Sequence, residues 1–333
     1  MIGRLPFPLR QALAFAAVYL IWGSTYLAIR FAIETLPPLA MAGVRFLLAG
    51  LLLYGVARLR GAPPPSAVHW RSAAIVGGLL LLGGNGAVVI AQQWVPSGLA
   101  ALLVATEPLW VALLLLAWPG GEVRPTLRTF ATLLLGFAGA ALLIAPSKVL
   151  AGEPVFLPGA LLVLAASLSW AGGSLYARNA PVPEQPGMAT ALQMLAGGAL
   201  LLACGVLRGE LTGFDPASVS RTSAVAWLYL VVFGSLIAFS AYSWLLRTTE
   251  PTLVATYAYV NPVVAVILGW LLAGEPFGPR TVVAAALILG AVIALSSDSA
   301  ARRRRARALA LDDRERAGRR AEGAETAGSR CRA

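Results

Sequence analysis

Ala105-Thr106-Glu107-Pro108 lies halfway along an apolar run from Gly98 to Trp118, and Tyr259-Val260-Asn261-Pro262 lies halfway along a second, from Leu253 to Ala273. Each run is long enough for a helix that crosses a bilayer, which needs about 20 residues. In both, a polar residue precedes a proline. Proline has no N–H, so it leaves the carbonyl four residues earlier without its intrahelical partner; within lipid a neighbouring helix or water must supply the donor. A carboxylate at that depth is costly in its ionised form and is expected to face a bundle interior or a wet cavity. The two stretches predict an all-α polytopic membrane protein arranged around a buried polar centre.

Composition agrees with that reading. The 333-residue chain is 58% hydrophobic and 12% charged, with a mean hydropathy of +0.76. Soluble domains carry about 25% charged residues, so half that fraction signals a chain solvated mainly by lipid. Cys204 falls in an apolar segment and Cys331 in a charged tail, which argues against a disulfide framework. His69 is the one histidine, and no cysteine cluster accompanies it. No metal site, catalytic residue or cofactor is therefore expected. Lys and Arg outnumber Asp and Glu by 26 to 15, but eleven of the arginines lie beyond Ala301. A terminal run of this kind suits anionic lipid, not nucleic acid, as its partner.

The apolar runs predict ten spans: Gln11–Phe31, Leu39–Ala57, Ser72–Gln92, Gly98–Trp118, Thr129–Ala145, Leu157–Ala177, Met188–Leu207, Ser223–Leu246, Leu253–Ala273 and Thr281–Ser297. Short turn-forming links such as Leu36-Pro37-Pro38 and Val95-Pro96-Ser97 separate them. The first run is too long for a signal-peptide core and is expected to remain in the mature protein. Lys and Arg at the span ends favour an N-terminus inside, with nine before the tail on the inner side against five on the outer. Ten spans then return the basic tail to the cytoplasm. The expected location is the cell inner membrane, with both termini cytoplasmic.

The chain also repeats itself. A shift of 148 superposes Trp22 on Trp170, Arg30 on Arg178, Pro38 on Pro186 and Gly50 on Gly198; a shift of 154 superposes Pro108 on Pro262 and Gly136 on Gly290. Residues 11–145 and 157–297 are thus two five-span halves, flanked by a cytoplasmic segment 1–10 and a basic tail 298–333 expected to be disordered. An odd number of spans per half forces the halves into opposite orientations. This 5+5 inverted repeat is the architecture of many secondary transporters, which hold substrate near the midplane.

Several motifs point to a family. Ile21-Trp22-Gly23-Ser24-Thr25-Tyr26, Met41-Ala42-Gly43-Val44-Arg45-Phe46, Val95-Pro96-Ser97-Gly98-Leu99-Ala100-Ala101 and Ala255-Thr256-Tyr257-Ala258-Tyr259-Val260-Asn261-Pro262-Val263-Val264 resemble the EamA branch of the drug/metabolite transporter superfamily. The pairs Gly121-Glu122 and Gly274-Glu275, closing spans four and nine, fit as well. The resemblance runs from about Leu13 to Leu295 and is nearest to the YedA-like drug/metabolite exporters. It implies ten helices in a 5+5 inverted repeat and transport of small organic molecules, outward. At the position of Glu107 the family pattern often has an uncharged residue, so proton coupling through Glu107 is not inherited from the resemblance.

Glu107 is the sharpest candidate for chemistry, either binding and releasing a proton or pairing with a cationic substrate; the competing reading is a satisfied structural group. Arg45 lies within roughly 6 Å of Glu107 in depth, counted at 1.5 Å per residue, which permits an ion pair. Snorkelling that merely locks helices is the alternative. The equivalent positions in the second half are Gln193 and Asn261, so the charged pair belongs to one half only. Trp22, Tyr26, Trp170 and Tyr259 offer aromatic walls for an amphipathic or cationic solute, or simply packing. Asn85, Gln92 and Gln93 either line the path or bond between helices. Thr132, Gly136 and Ala140 form a small-residue stripe repeated by Ala286, Gly290 and Ala294, suited to pairing of spans five and ten or to homodimerisation. His69, beside Trp70, reads as an interfacial loop residue.

The class these features favour is a secondary active transporter, exporting a small-molecule substrate by alternating access with protons as the coupling ion. Uptake and passive conduction are the alternatives. An intramembrane enzyme is disfavoured: the chain has no histidine at membrane depth to activate a serine, and no phosphate-cradling glycine-lysine loop.

Overall fold

The computed structural model describes residues 6–117, 127–144, 156–249, 254, 256–294 and 297. Every regular element among them is helical. Seven helices are long and apolar enough to cross a membrane: α1 (Phe7–Ala32), α2 (Pro38–Leu59), α3 (Ala67–Ala91), α4 (Ser97–Leu116), α6 (Leu157–Ala177), α7 (Gly187–Leu207) and α8 (Arg221–Tyr242). Three shorter apolar helices accompany them: α5 (Thr129–Ile144), α9 (Tyr257–Ala273) and α10 (Pro279–Ala294). The basic tail from Ala301, the Gly121-Glu122 pair and Leu253 lie outside the described residues. Residues 1–292 form one compact unit; in the second, 293–333, Ser297 Oγ donates to the Ile293 carbonyl.

Local chemistry sets the helix ends. Pro38 occupies the first turn of α2, where its missing N–H costs nothing and its fixed φ suits the helix. α3 starts at Ala67, five residues before the expected Ser72, because a capping box begins it. Ser66 Oγ accepts from the His69 N–H, and His69 Nδ1 accepts from the Ser66 N–H. His69 is thus a first-turn residue and not a loop residue. α9 stops at Gly274, whose φ of 61° is the left-handed conformation that glycine adopts without strain.

α2 and α7 cross at backbone contact. A Cβ added to Gly43 would lie 2.9 Å from the Gly198 carbonyl, and one added to Gly50 would lie 3.1 Å from the Ala191 carbonyl. Advancing along α2 therefore means retreating along α7, so the two run antiparallel. The shift of 148 that carries Gly43 to Ala191 and Gly50 to Gly198 exchanges these two contacts, so the crossing has a local two-fold perpendicular to both helices. Small residues permit this approach where lipid supplies no hydrophobic drive between helices.

The large side chains of Phe46, Leu102, Leu103, Leu192, Leu201 and Leu230 are fully buried. Others point outward, with Leu51 58%, Leu272 64% and Leu134 72% exposed, as a surface solvated by lipid requires. α5 and α10 do pair, but not through the whole predicted stripe. A Cβ on Gly136 would lie 3.2 Å from Ala291, and one on Gly139 would lie 2.9 Å from Leu287 and Ile288. A Cβ on Gly290 would meet no atom of another described helix within 4 Å. The stripe's repeat in α10 is turned away from the contact because Ala284, Ile288 and Ala291 present the facing ridge.

Helix ends on one face of the bundle are stitched by polar groups. Glu275, after α9, accepts from the N–H groups of Ser97 (2.6 Å) and Gly98 (2.9 Å) at the start of α4 and lies 3.4 Å from the Arg30 guanidinium at the end of α1. Glu210, after α7, accepts from the Leu39 and Ala40 N–H groups at the start of α2. Ser223, at the start of α8, donates to the Phe31 carbonyl at the end of α1. Arg280, at the start of α10, donates to the Leu142 and Leu143 carbonyls at the end of α5. Each bond satisfies a backbone group that a helix end leaves orphaned.

Three helices depart from α geometry. Ala17–Ile21 within α1 is a five-residue π-helical segment, and Gly78–Gly86 within α3 and Leu230–Ala238 within α8 are nine-residue ones. Such segments are rare and concentrate at functional sites.

Candidate functional site

The proline motif of α4 coincides with a break in the helix, whereas the break expected at Pro262 does not occur: α9 runs unbroken over Tyr257–Ala273 with that proline inside it. Ser97–Val104 and Glu107–Ala117 are separate helical segments, with Ala105 and Thr106 forming a turn between them. Pro108 leaves the Val104 carbonyl without an intrahelical donor. Ser167 of α6 supplies it, its Oγ donating to the Val104 oxygen at 3.2 Å. Thr106 Oγ1 donates to the Leu103 carbonyl at 2.6 Å and lies 3.3 Å from the Ser167 hydroxyl. Three local groups and one from the opposite half thus hold the turn that presents Glu107. Across the molecule, α9 is held from α1. Asn261, its amide oriented with nitrogen toward α1, donates to the carbonyls of Tyr19 (3.1 Å) and Tyr257 (3.3 Å). The Tyr19 and Thr256 hydroxyls bond as well. Residue 19 is the equivalent of residue 167 under the shift of 148.

Between the broken α4 and the proline-bearing α9 lies a cavity of about 120 Å³. Seven helices line it: α1 gives Trp22, Thr25, Tyr26 and Ile29; α2 gives Arg45 and Phe46; α3 gives Leu81, Gly84, Asn85 and Val88. α4 adds Ala101, Val104, Ala105 and Glu107; α6 adds Ala166, Ser167 and Trp170; α8 adds Gly234 and Phe239; and α9 adds Tyr257, Ala258, Asn261 and Pro262. The π-helical segments of α3 and α8 therefore both reach the cavity. A mostly apolar chamber with a few convergent polar groups is the usual form of a small-molecule site.

Its two charged groups do not pair. Arg45 Nη2 donates to Asn85 Oδ1 at 3.1 Å, and its guanidinium lies 4.1 Å from the centre of the Phe46 ring. No ion pair or hydrogen bond to Glu107 occurs among the described residues. The ion pair that matching depths allowed is replaced by the contact with Asn85. Depth fixes only one coordinate, and α2 packs chiefly on α7 rather than on α4.

Trp22 organises the aromatic side. Its Nε1 donates to the Gly234 carbonyl at 3.2 Å, and its rings meet Phe239, Tyr242 and Tyr257 at centroid distances of 5.2, 5.0 and 5.5 Å. Trp170 sits against Gly84 in the corresponding place on α3.

Of the predicted site residues, the structure brings Trp22, Tyr26, Arg45, Glu107, Trp170, Asn261 and Pro262 to one cavity. Pro108, Tyr259 and Gln193 are not among its lining. Gln193 lies instead beside His69 and Ser72, between α7 and the start of α3. Asn85 lines the cavity, Gln92 is buried and donates to the Tyr26 carbonyl, and the exposed Gln93 bonds its own helix. Sequence reasoning missed Ser167, Thr25, Phe239 and Tyr257. The proline motif gave one usable signal: the freed Val104 carbonyl called for a hydroxyl at mid-span, and Ser167 sits there on α6.

Residues 9–145 and 157–297 each match the EamA-like transporter family. The inner membrane transporter YedA of Escherichia coli (strain K12) is 42% identical over 281 residues, covering 84% of this chain and 88% of that one. A protein of Salmonella typhimurium named "Probable amino-acid metabolite efflux pump" is 26% identical over 282 residues, covering 82% and 90%. A solved structure, titled only as the crystal structure of a protein, superposes with a TM-score of 0.58 at 24% identity, covering 88% of this chain and 98% of the other. That last likeness concerns the fold alone.

Proposed function

The chain belongs to the EamA-like transporter family, and on that footing we propose that it is a secondary active transporter of the inner membrane that exports small metabolites or drug-like molecules by alternating access, coupled to protons through Glu107. The observation that carries this reading is the cavity itself. It lies between helices of both repeats, and a buried carboxylate at a helix break borders it. An ionised carboxylate there is expensive, so Glu107 alternates between neutral and charged or holds a cationic partner. The name of the Salmonella relative, an efflux pump, supports transport outward.

The architecture we assign is ten helices in a 5+5 inverted repeat, residues 11–145 and 157–297, with both termini cytoplasmic and the basic tail against anionic lipid. The two-fold contact of α2 with α7, the matched π-helical segments and the reciprocal hold of Ser167 on α4 and Tyr19 on α9 all support it.

A thermal-shift screen against amino acids, amines, sugars and dyes identifies a ligand, since binding raises the melting temperature by mass action. With that ligand, Glu107→Gln in proteoliposomes under a pH gradient is expected to lose uphill transport while keeping its fold and downhill exchange. Full gradient-driven transport by a stable Glu107→Gln protein refutes the coupling role.

A further inference from the structure

We propose that Arg45 and Asn85 form an anion subsite within the cavity, and that the substrate is a small organic acid whose carboxylate docks there while an aromatic or apolar body fills the chamber. This rests on reading the cavity as the transport site.

Arg45 is 4% exposed, yet its contacts are the Asn85 amide oxygen and the face of Phe46, both neutral. Its Nε is buried without a hydrogen-bond partner. Carboxylates that meet arginines elsewhere among the described residues do so outside the cavity, Glu275 with Arg30 and Glu210 with Arg208. A desolvated guanidinium carries a penalty of several kcal/mol unless charge and hydrogen bonds offset it. Asn85 offsets only part.

The fold does not need this charge. The equivalent residue of the second half is Gln193, which sits away from the cavity in an otherwise similar α2–α7 crossing. Glu107 shares the chamber but forms no ion pair with Arg45, which leaves the guanidinium free for a third group. Arginine presents N–H donors in a planar fork that matches a carboxylate. With Asn85 Oδ1 engaged by Arg45, the amide nitrogen of Asn85 remains a further donor lining the same chamber. The walls beyond, Trp22, Phe46 and Trp170, are flat and apolar.

Calorimetric titration of the native protein with phenylacetate, phenylacetamide and phenethylamine tests the assignment, because the three share a body and differ only in head group. The acid is expected to bind about 10- to 100-fold more tightly than the amide, the worth of a charge-assisted hydrogen bond of ~1.5–3 kcal/mol. Arg45→Gln removes that preference, and Arg45→Lys restores part of it. Equal binding of acid and amide by the native protein overturns the subsite, as does no binding of phenylacetate or an undiminished preference in Arg45→Gln. The native comparison needs no variant to fold. Should Glu107→Gln retain gradient-driven transport while the acid preference holds, only the coupling role of Glu107 falls.

Discussion

Replacing Ser167 by alanine strands the Val104 carbonyl, and the proline that created the need offers a way to measure the bond. In the native protein the Ser167 hydroxyl is the donor at 3.2 Å to an oxygen that Pro108 cannot serve. Losing one partner of a buried bond costs about 1–3 kcal/mol in general, and interhelical bonds in membrane proteins average nearer ~0.6, reaching ~1.7 kcal/mol. Ser167→Ala is therefore expected to cost about 1–2 kcal/mol. Pro108→Ala restores an N–H four residues beyond Val104, so the carbonyl regains an intrahelical donor and Ser167 becomes dispensable for it. In that background Ser167→Ala should cost less, leaving a coupling of about 0.5–1.5 kcal/mol in the double-mutant cycle. Reversible unfolding in mixed detergent, followed by circular dichroism, measures all four proteins. Additivity within about 0.3 kcal/mol would mean that the serine does not serve the proline's carbonyl, and the account of the break would fail.

Three further outcomes follow from the packing. Glu275→Gln keeps one acceptor but removes the charge shared by the Ser97 and Gly98 N–H groups and Arg30; a loss of about 1–3 kcal/mol is expected in the same unfolding assay, most of it from the two backbone bonds since Arg30 is partly exposed, and unchanged stability contradicts the cap. Gly198→Leu on α7 forces a side chain into a gap where a Cβ already lies 3.0 Å from the Gly43 carbonyl, and should cost about 2–3 kcal/mol or more, whereas at Gly55 on α2 a Cβ meets nothing within 4 Å and Gly55→Leu should be neutral. Similar losses at the two glycines would dismiss the close crossing. For orientation, Ser97 and Ala62 are buried and unsuitable as probes, but Gln93 and Pro64 are exposed. In a background lacking Cys204 and Cys331, Gln93→Cys should react with an impermeant thiol reagent on intact cells and Pro64→Cys should not; the reverse pattern inverts the topology.

Hydropathy and the proline motifs made the helices, the break in α4 and most of the cavity's charged and aromatic lining legible in the sequence, because each of these is a property of a single run of residues. What stayed hidden depends on lateral position. Arg45 and Glu107 have similar depth, but which neighbour a side chain reaches is decided by rotation about the helix axis, and that brought Asn85 to the guanidinium. Gln193 holds the place of Arg45 in the second half and yet faces α3, for the same reason. The π-helical segments leave no trace in hydropathy, since widening a turn changes register without changing composition. Glu275 read as a charge closing a span, whereas its work is done on the first turn of a helix 177 residues earlier.

The two matched repeats differ in their polar atoms and in places in their backbone, since α4 is broken before Glu107 while α9 runs through Pro262. Residues 19 and 167 occupy equivalent places, and each holds the broken or proline-bearing helix of the opposite half. Ser167 does so with a hydroxyl on the Val104 carbonyl, and Tyr19 with a backbone carbonyl accepting from Asn261 and a hydroxyl bonded to Thr256. Where one half moves against the other, as alternating access requires, these cross-half bonds are the ones that must stretch or exchange. Only the Ser167 side carries a carboxylate next to the bond, three residues beyond the carbonyl that Ser167 holds. A change of charge on Glu107 would therefore act most directly on the Ser167 attachment. On the alternating-access reading proposed above, that inequality lets the two attachments respond differently to the charge of Glu107.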